Sequence, residues 1–417
     1  MQTTGFFGWH VVAAVFTLAL FGWGLGFYGP PIVLHAVRET RGWSLSLVST
    51  ALTVHFLLGA LFVASLARLA ARFGMARLTQ AGAVTMALGV CGWSLATAPS
   101  QLMLASVATA FGWATMGAAA VNALVTPWFV KKRPAALASA YNGASVGGIV
   151  FSPLLVWSIG VAGLPGAMLA LGLVTILVVW WLASRYFSTS PASMGLAADG
   201  GEAAPAGSPT VVVAEGVPPL SGNSLWRDRR FLLLASGMSL GLFAQVGLIA
   251  HLYSLLVPAL GAQGAGFAAG GATIAAMTGR VVFGWILNAG GDRAHFAAAS
   301  YGIQIAGILL FLVSGGTSVV PLLAGVLLFG LGIGNAISLP PLIAQARFQP
   351  ADAARVVPII VAISQAAYAF APAAFGLLRD LSASQAPPAL FLAAAALKGA
   401  AIVCLIAGRP ETARAQP

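Results

Sequence analysis

Twelve runs of apolar residues, each roughly the 20 or so that a helix needs to cross ~30 Å of hydrocarbon, divide this chain of 417 residues. They lie near 10–35, 44–67, 78–97, 101–126, 136–158, 164–184, 231–257, 265–288, 296–314, 319–344, 356–378 and 388–407. Lipid offers nothing to a bare backbone, so only helices or a closed barrel span it. These runs are long, continuous and rich in Ala and Leu rather than short and alternating, which predicts helices. Hydrophobic residues make up 59% of the chain and charged residues only 7%, against about 25% charged in an ordinary soluble domain. The expectation is an all-α integral membrane protein of about twelve transmembrane helices. Met1–His10 has no basic stretch ahead of the first run, so that run is expected to stay as a membrane helix.

Lys and Arg are distributed unequally between alternate loops. One set holds Arg68, Arg72, Arg77, Lys131, Lys132, Arg133, Arg185, Arg227, Arg229, Arg230, Arg293, Arg347, Arg355, Arg409 and Arg414; the other holds Arg38, Arg41 and Arg379. The positive-inside rule then places both termini in the cytoplasm. Insertion alone explains the net charge of +11, so no nucleic-acid partner is implied. Cys91 and Cys404 are far apart in sequence and suggest neither a disulfide framework nor a metal site.

Between the sixth and seventh runs lies STSPASMGLAADGGEAAPAGSPTVVVAEGVPPLSGNS, too poor in large apolar residues to make a core. It reads as a flexible cytoplasmic linker over 187–225, joining six-helix bundles at 1–186 and 226–417. FGWATMGAAAVNALVTPWF in the fourth run and FGLGIGNAISLPPLIAQARF in the tenth share a Phe-Gly start, an Asn and a late Pro. Such weak internal symmetry is how duplicated transporter bundles show in sequence. NGASVGG at 142–148 and GLGIG at 330–334 predict close helix approach through small residues.

No acidic residue falls within an apolar run, yet Arg280 stands mid-run in GATIAAMTGRVVFGWIL. An arginine at a helix centre costs roughly 2.5–3.5 kcal/mol on insertion scales and marks a functional site by default. Its missing countercharge points to an anionic substrate, held by a planar, two-pronged guanidinium. Lys398 is a second cation in an apolar run, open to scaffold, snorkelling, substrate or proton roles. His55, in the middle of the second run, and His251, in the seventh, are structural or proton-carrying. Asn122, Tyr141, Asn142, Asn335, Gln365 and Tyr368 are polar groups that either line a cavity or bond between helices.

TPWFVKKRPAALASAYNGASVGGIVFSPL, GWHVVAAVF, RGWSLSLVSTALTV and MTGRVVFGWILNAGGDR together resemble the major facilitator superfamily, and within it the branch of monocarboxylate transporters and oxalate:formate antiporters. The resemblance implies two pseudo-symmetric six-helix bundles, with Arg280 facing a central cavity. It also implies a cytoplasmic gate at Arg72, Gly74, Asp292 and Arg293. Departures accompany it: Ala71 and Asn288 stand where gate carboxylates are usual, and Ala276 and Pro31 where proton-coupled carriers of that branch have Asp and Lys.

These readings converge on a secondary active or facilitative carrier of small mono- or dicarboxylates, working by anion exchange or uniport. The alternatives are histidine-dependent proton symport and proton-driven export of hydrophobic compounds. Neither nucleotide-binding loops nor catalytic clusters occur, so no cofactor and no enzymatic activity are expected. A monomer in a bacterial inner membrane is the expected setting.

Overall fold

The computed structural model describes residues 6–200, 225–288, 292–336, 339–382 and 387–408, and all its regular elements longer than a bridge are helical. The α-helices are α1 (Phe7–Trp23), α2 (Pro30–Arg41), α3 (Leu45–Phe73), α4 (Met75–Leu95), α5 (Pro99–Met116), α6 (Ala118–Val125) and α7 (Arg133–Leu182). They continue as α8 (Arg229–Asn288), α9 (Arg293–Ser314), α10 (Val319–Ile333), α11 (Leu339–Arg347), α12 (Pro350–Ala369), α13 (Ala371–Asp380) and α14 (Pro388–Ala407).

Among the described residues nine helical stretches are long and apolar enough to cross a membrane, and Val319–Ile333 is a shorter apolar helix. Two of the nine, Arg133–Phe187 and Arg229–Phe283, are 55 residues long, or roughly 80 Å at 1.5 Å per residue, far more than one bilayer crossing takes. Each is broken by a glycine in the left-handed region, Gly163 and Gly261, both at φ 67°. Only glycine takes that conformation without a Cβ penalty, so each long stretch supplies two crossings. With these counted as pairs and the shorter Val319–Ile333 added, the described residues carry twelve apolar segments, the number that the sequence predicts.

Several crossings are interrupted. A π-helical stretch, Gly24–Tyr28, joins α1 to α2, and Gly117, extended at φ −87° and ψ −158°, separates α5 from α6. After α10 the chain leaves the helix at Gly334 and resumes at Leu339 beside Pro340, whose ring suits a helix start and not its interior.

By internal contacts the chain forms two compact units. The first comprises Met1–Val33 and Leu58–Val217; the second comprises Leu34–Leu57 and Pro218–Pro417. In the first, α1 packs on α7 and α4 on α5. The NGASVGG stretch makes the α1 contact: a Cβ on Gly143 would collide with the Phe16 carbonyl oxygen, and one on Gly147 would lie 2.5 Å from that of Leu20. Trp93 is fully buried and donates its indole N–H to Ser106 Oγ at 2.9 Å.

In the second unit α8 packs against α10, α12 and α14, and α9 against α10 and α14. Here too the spacing is set by glycine. A Cβ on Gly330 would lie 2.6 Å from the Ala272 carbonyl oxygen, while Gly279 abuts the Leu331 carbonyl and Gly334 that of Ala276. The first turns of α3 run along α13: Ser49 packs on Gly376, Thr53 Oγ1 accepts the Ala373 N–H at 3.2 Å, and Phe56 meets the Tyr368 ring edge-on. At the far end Asp380 accepts the N–H groups of Leu45 (3.2 Å) and Ser46 (2.7 Å), satisfying donors that the helix start leaves open.

Of the expected linker, residues 187–200 are described and carry two 3₁₀ turns, Ala192–Met194 and Ala198–Gly200; 201–224 lie outside the described residues. Asp199 accepts the backbone N–H groups of Val130 (3.1 Å), Lys131 (2.7 Å) and Lys132 (3.2 Å), just ahead of α7.

Candidate functional site

A helix leaves its last carbonyls without intrahelical partners. At the end of α10 three successive carbonyls are taken by side chains. Ser300 Oγ donates to Gly332 (3.0 Å), Gln245 Nε2 to Ile333 (3.5 Å) and Arg280 Nε to Gly334 (3.4 Å). Close packing of α8 on α10 through Gly279, Gly330 and Gly334 is what brings Arg280 to this broken helix. Gln245 and Asn335 are buried there, at 2% and 3% exposure, whereas Arg280 stays partly exposed. The amide oxygen of Gln245 has no partner among the described residues. The result is a guanidinium and a buried amide on successive carbonyls of one broken helix, with the Asn335 amide next along the chain, a set of groups suited to a small polar anion.

Gln245 escaped the sequence reading. It is the one amide in SLGLFAQVGLIAH, and the available signal was the same one that singled out Gln365, a neutral polar side chain deep in an apolar run.

The first unit has its own polar cluster at the α5–α6 break. Asn122 Nδ2 donates to Tyr141 Oη at 2.6 Å and to the Ala118 carbonyl at 2.9 Å, and Tyr141 Oη donates to that same carbonyl at 3.1 Å. Trp23 stands edge-on to Tyr141 and to Trp113, with centroids 6.0 and 5.1 Å away. Asn142, next to Tyr141 in sequence, is exposed.

The other sequence candidates lie elsewhere. His55 is fully buried with its ring against Phe56, Tyr368 stands edge-on to that same phenyl group, and Gln365 is half-buried one turn earlier on α12. His251 is bound on both nitrogens. Nε2 lies 3.0 Å from the Pro372 carbonyl, which only accepts, and Nδ1 lies 3.4 Å from Arg379 Nη1, which only donates. That pair of neighbours defines the neutral Nε2–H tautomer. Arg379, counted in the sequence as a loop residue, is buried in the last turn of α13 and also donates to Ser254 Oγ at 2.6 Å. Lys398 is fully buried, with Nζ donating to the Gly241 carbonyl at 2.7 Å.

At the expected gate, Arg72 is exposed with its guanidinium over the Phe73 ring, and Gly74 turns the chain into α4 at φ 82°. Asp292 caps α9 by accepting the Ala294 N–H at 2.7 Å, and Arg293 donates to the Leu342 carbonyl at 2.9 Å.

Two solved structures illustrate the fold. The nucleoside transporter NupG superposes with a TM-score of 0.71 at 12% identity, covering 95% of this chain and 98% of that one. A bacterial homologue of the human lysosomal transporter Spinster, in an inward-facing and occupied conformation, gives 0.66 at 14% identity over 97% and 95%. No curated protein matches the sequence. The family description Major Facilitator Superfamily fits residues 13–372. Twelve apolar crossings, broken helices that end in polar clusters and this match have one reading: the chain belongs to the major facilitator superfamily and is a multi-pass membrane transporter, not an enzyme.

Proposed function

We propose that this transporter carries small organic anions, mono- or dicarboxylates, with Arg280 as the anchoring cation. The observation that supports the reading is the partly exposed guanidinium at the α10 break, where Gln245 takes the preceding carbonyl and Asn335 is the next residue, in a membrane segment whose sequence holds no carboxylate. A bound carboxylate lowers the cost of closing the site around a charged group. Exchange or downhill movement follows as the simplest mode, since closure is easier with an anion aboard than with the site empty. The charge pattern of the loops supports cytoplasmic termini, and a monomer in a bacterial inner membrane completes the proposal.

Uptake of radiolabelled lactate, oxalate, formate and succinate into proteoliposomes tests it. Arg280→Ala removes two charge-assisted hydrogen bonds and is expected to lower kcat/KM for the transported acid by on the order of 100-fold. Equal uptake by wild type and variant, or no carboxylate flux at all, refutes the anion assignment.

A further inference from the structure

The second unit buries an amine far more completely than the proposed anion site buries its guanidinium. Lys398, in the middle of α14, has no accessible surface, yet among the described residues no carboxylate pairs with it. Two groups hold it: the Gly241 carbonyl on α8, at 2.7 Å, and the face of the Tyr301 ring on α9, whose centroid is 4.5 Å from Nζ. Tyr301 is itself 1% exposed, and its hydroxyl has no hydrogen-bond partner among the described residues. That hydroxyl abuts Gly241, where a Cβ would run into it. Phenol and amine therefore share one small volume.

An ammonium has three donors and no acceptor, so a phenol beside it has nothing to donate to. A neutral amine carries a lone pair and, shifted from the ring face towards the hydroxyl, accepts that O–H. Leaving a buried hydroxyl unsatisfied costs about 1–3 kcal/mol, so the orphaned Tyr301 hydroxyl stabilises the neutral amine relative to the ammonium, while the carbonyl and the ring face stabilise the ammonium. Opposed preferences of this kind make a group able to change protonation state.

The pair is also connected to the proposed anion site. Ser300, next to Tyr301, donates to the Gly332 carbonyl at the α10 break. Gln304, one turn along α9, is fully buried, with neither amide atom partnered among the described residues, and a Cβ on Gly332 would lie 2.9 Å from its Nε2. Polar groups thus run from Arg280 and Gln245 through Gly334, Ile333 and Gly332 to Ser300, Gln304, Tyr301 and Lys398.

We infer that Lys398 is the proton-coupling group of this carrier, with Tyr301 as its hydrogen-bonding switch. With substrate aboard, Lys398 is an ammonium on the Gly241 carbonyl. On unloading, one N–H proton passes to water entering along the Ser300–Gln304 seam. The bonding pair stays on nitrogen and accepts the Tyr301 O–H, while a remaining N–H keeps Gly241. Rebinding on the other side reverses each step. A coupled proton turns the downhill mode into symport: of Arg280 and Lys398, one is charged when the site is empty and both when a carboxylate is aboard, so the net charge of the set is the same in both states. Facing α14, α8 offers the Gly241 carbonyl and α9 offers Tyr301, while Gln304 lies against Gly332 at the end of α10. The remaining charged neighbours are engaged elsewhere, Arg379 of α13 with Ser254 and Arg347 of α11 with the Leu405 carbonyl at the end of α14. The identity of the coupled substrate rests on the reading of Arg280; the proton step does not.

Charge displacement on a solid-supported membrane separates the two. Proteoliposomes of the full chain, with no carboxylate present, receive rapid steps between about pH 8 and about pH 6, a window in which exposed lysines stay charged. Wild type is expected to displace charge, and so is Arg280→Ala. Lys398→Arg, which keeps the cation but does not give up its proton, is expected to fall to the level of empty vesicles, and Lys398→Met likewise. Tyr301→Phe is expected to keep a signal centred at a different pH. A wild-type signal that survives in Lys398→Arg, or no signal in wild type, overturns the inference. Loss of carboxylate flux with the proton signal intact overturns only the substrate.

Discussion

Replacing Gly279 by Ala tests the close approach that positions Arg280. In the native packing a Cβ at this site would meet the Leu331 carbonyl head-on, with the carbonyl carbon 2.8 Å and the Cα 3.1 Å away. All three atoms are backbone, so no side-chain rotation relieves the contact and α8 must separate from α10 by several tenths of an ångström or more. Overpacking of this kind costs about 1–3 kcal/mol. Helix propensity opposes it by only about 0.5–1 kcal/mol, the usual gain from Gly to Ala inside a helix, so the net effect is destabilising. Gly302, on α9, provides the control, because nothing lies within 4 Å of the place a methyl group would take there; the same substitution then has only the propensity gain. Thermal unfolding of the purified variants in detergent, followed by loss of the monodisperse peak, should move in opposite directions. Because Arg280 is the next residue, Gly279→Ala should also weaken carboxylate uptake while Gly302→Ala leaves it unchanged. Equal or raised thermal stability in Gly279→Ala refutes the argument that backbone contact sets the α8–α10 spacing.

Two further perturbations probe contacts outside that packing. Asp380→Asn removes the charge from the start of α3, a change worth about 0.3–1 kcal/mol and so a roughly 2- to 5-fold faster reaction of a cysteine placed at Ser46; unchanged labelling argues against the clasp. For Asp199, the N–H of Lys131, with those of Lys132 and Val130, holds the carboxyl below the usual carboxylate range. A depressed folded-state value means that the contact is present above the ordinary carboxylate pKa of about 4 and is lost as pH falls through the lowered one. Asp199→Ala should therefore speed trypsin cleavage after Lys131 and Lys132 at neutral pH relative to wild type, by freeing the backbone there; equal cutting rates refute it.

What the sequence revealed, and what it hid, follows from what an apolar run encodes. Runs of membrane-spanning length fix helices because lipid leaves the backbone no other choice, and the turns at Gly163 and Gly261 fall in the gaps between runs. Arg280 and Lys398 were visible because a charge in an apolar run stands out whatever it faces. Their surroundings were not visible. Tyr301 meets Lys398 only through the rotation of α9 against α14, and Gln245 joins Arg280 only because glycines let α8 and α10 touch. Composition records what a helix carries, whereas pairing depends on rotation and register between helices distant in sequence. Arg379 shows the same limit. Followed by Asp380 and Ser382 it reads as a loop residue, yet one more helical turn buries it against His251 and Ser254.

Three cations within the apolar part of the second unit meet their desolvation in different ways. Arg379 is 5% exposed and rests on a hydroxyl and a neutral imidazole. Lys398 is wholly enclosed by a carbonyl and an aromatic face. Arg280 is the one that stays partly exposed, and its Nε contact to Gly334, at 3.4 Å, is longer than the 2.7–3.2 Å of a strong N–H···O bond. Dipoles oriented by the fold stabilise Arg379 without any ligand, at fixed geometry, and hold Lys398 in its charged form. A ligand can add most to the third, where the site is open and the backbone acceptor sits at the end of a broken helix. Removing Arg379 should then cost stability, removing Lys398 should cost coupling, and removing Arg280 should cost substrate. This division of labour follows from accessibility and hydrogen-bond geometry, and it assigns each cation a different experimental signature.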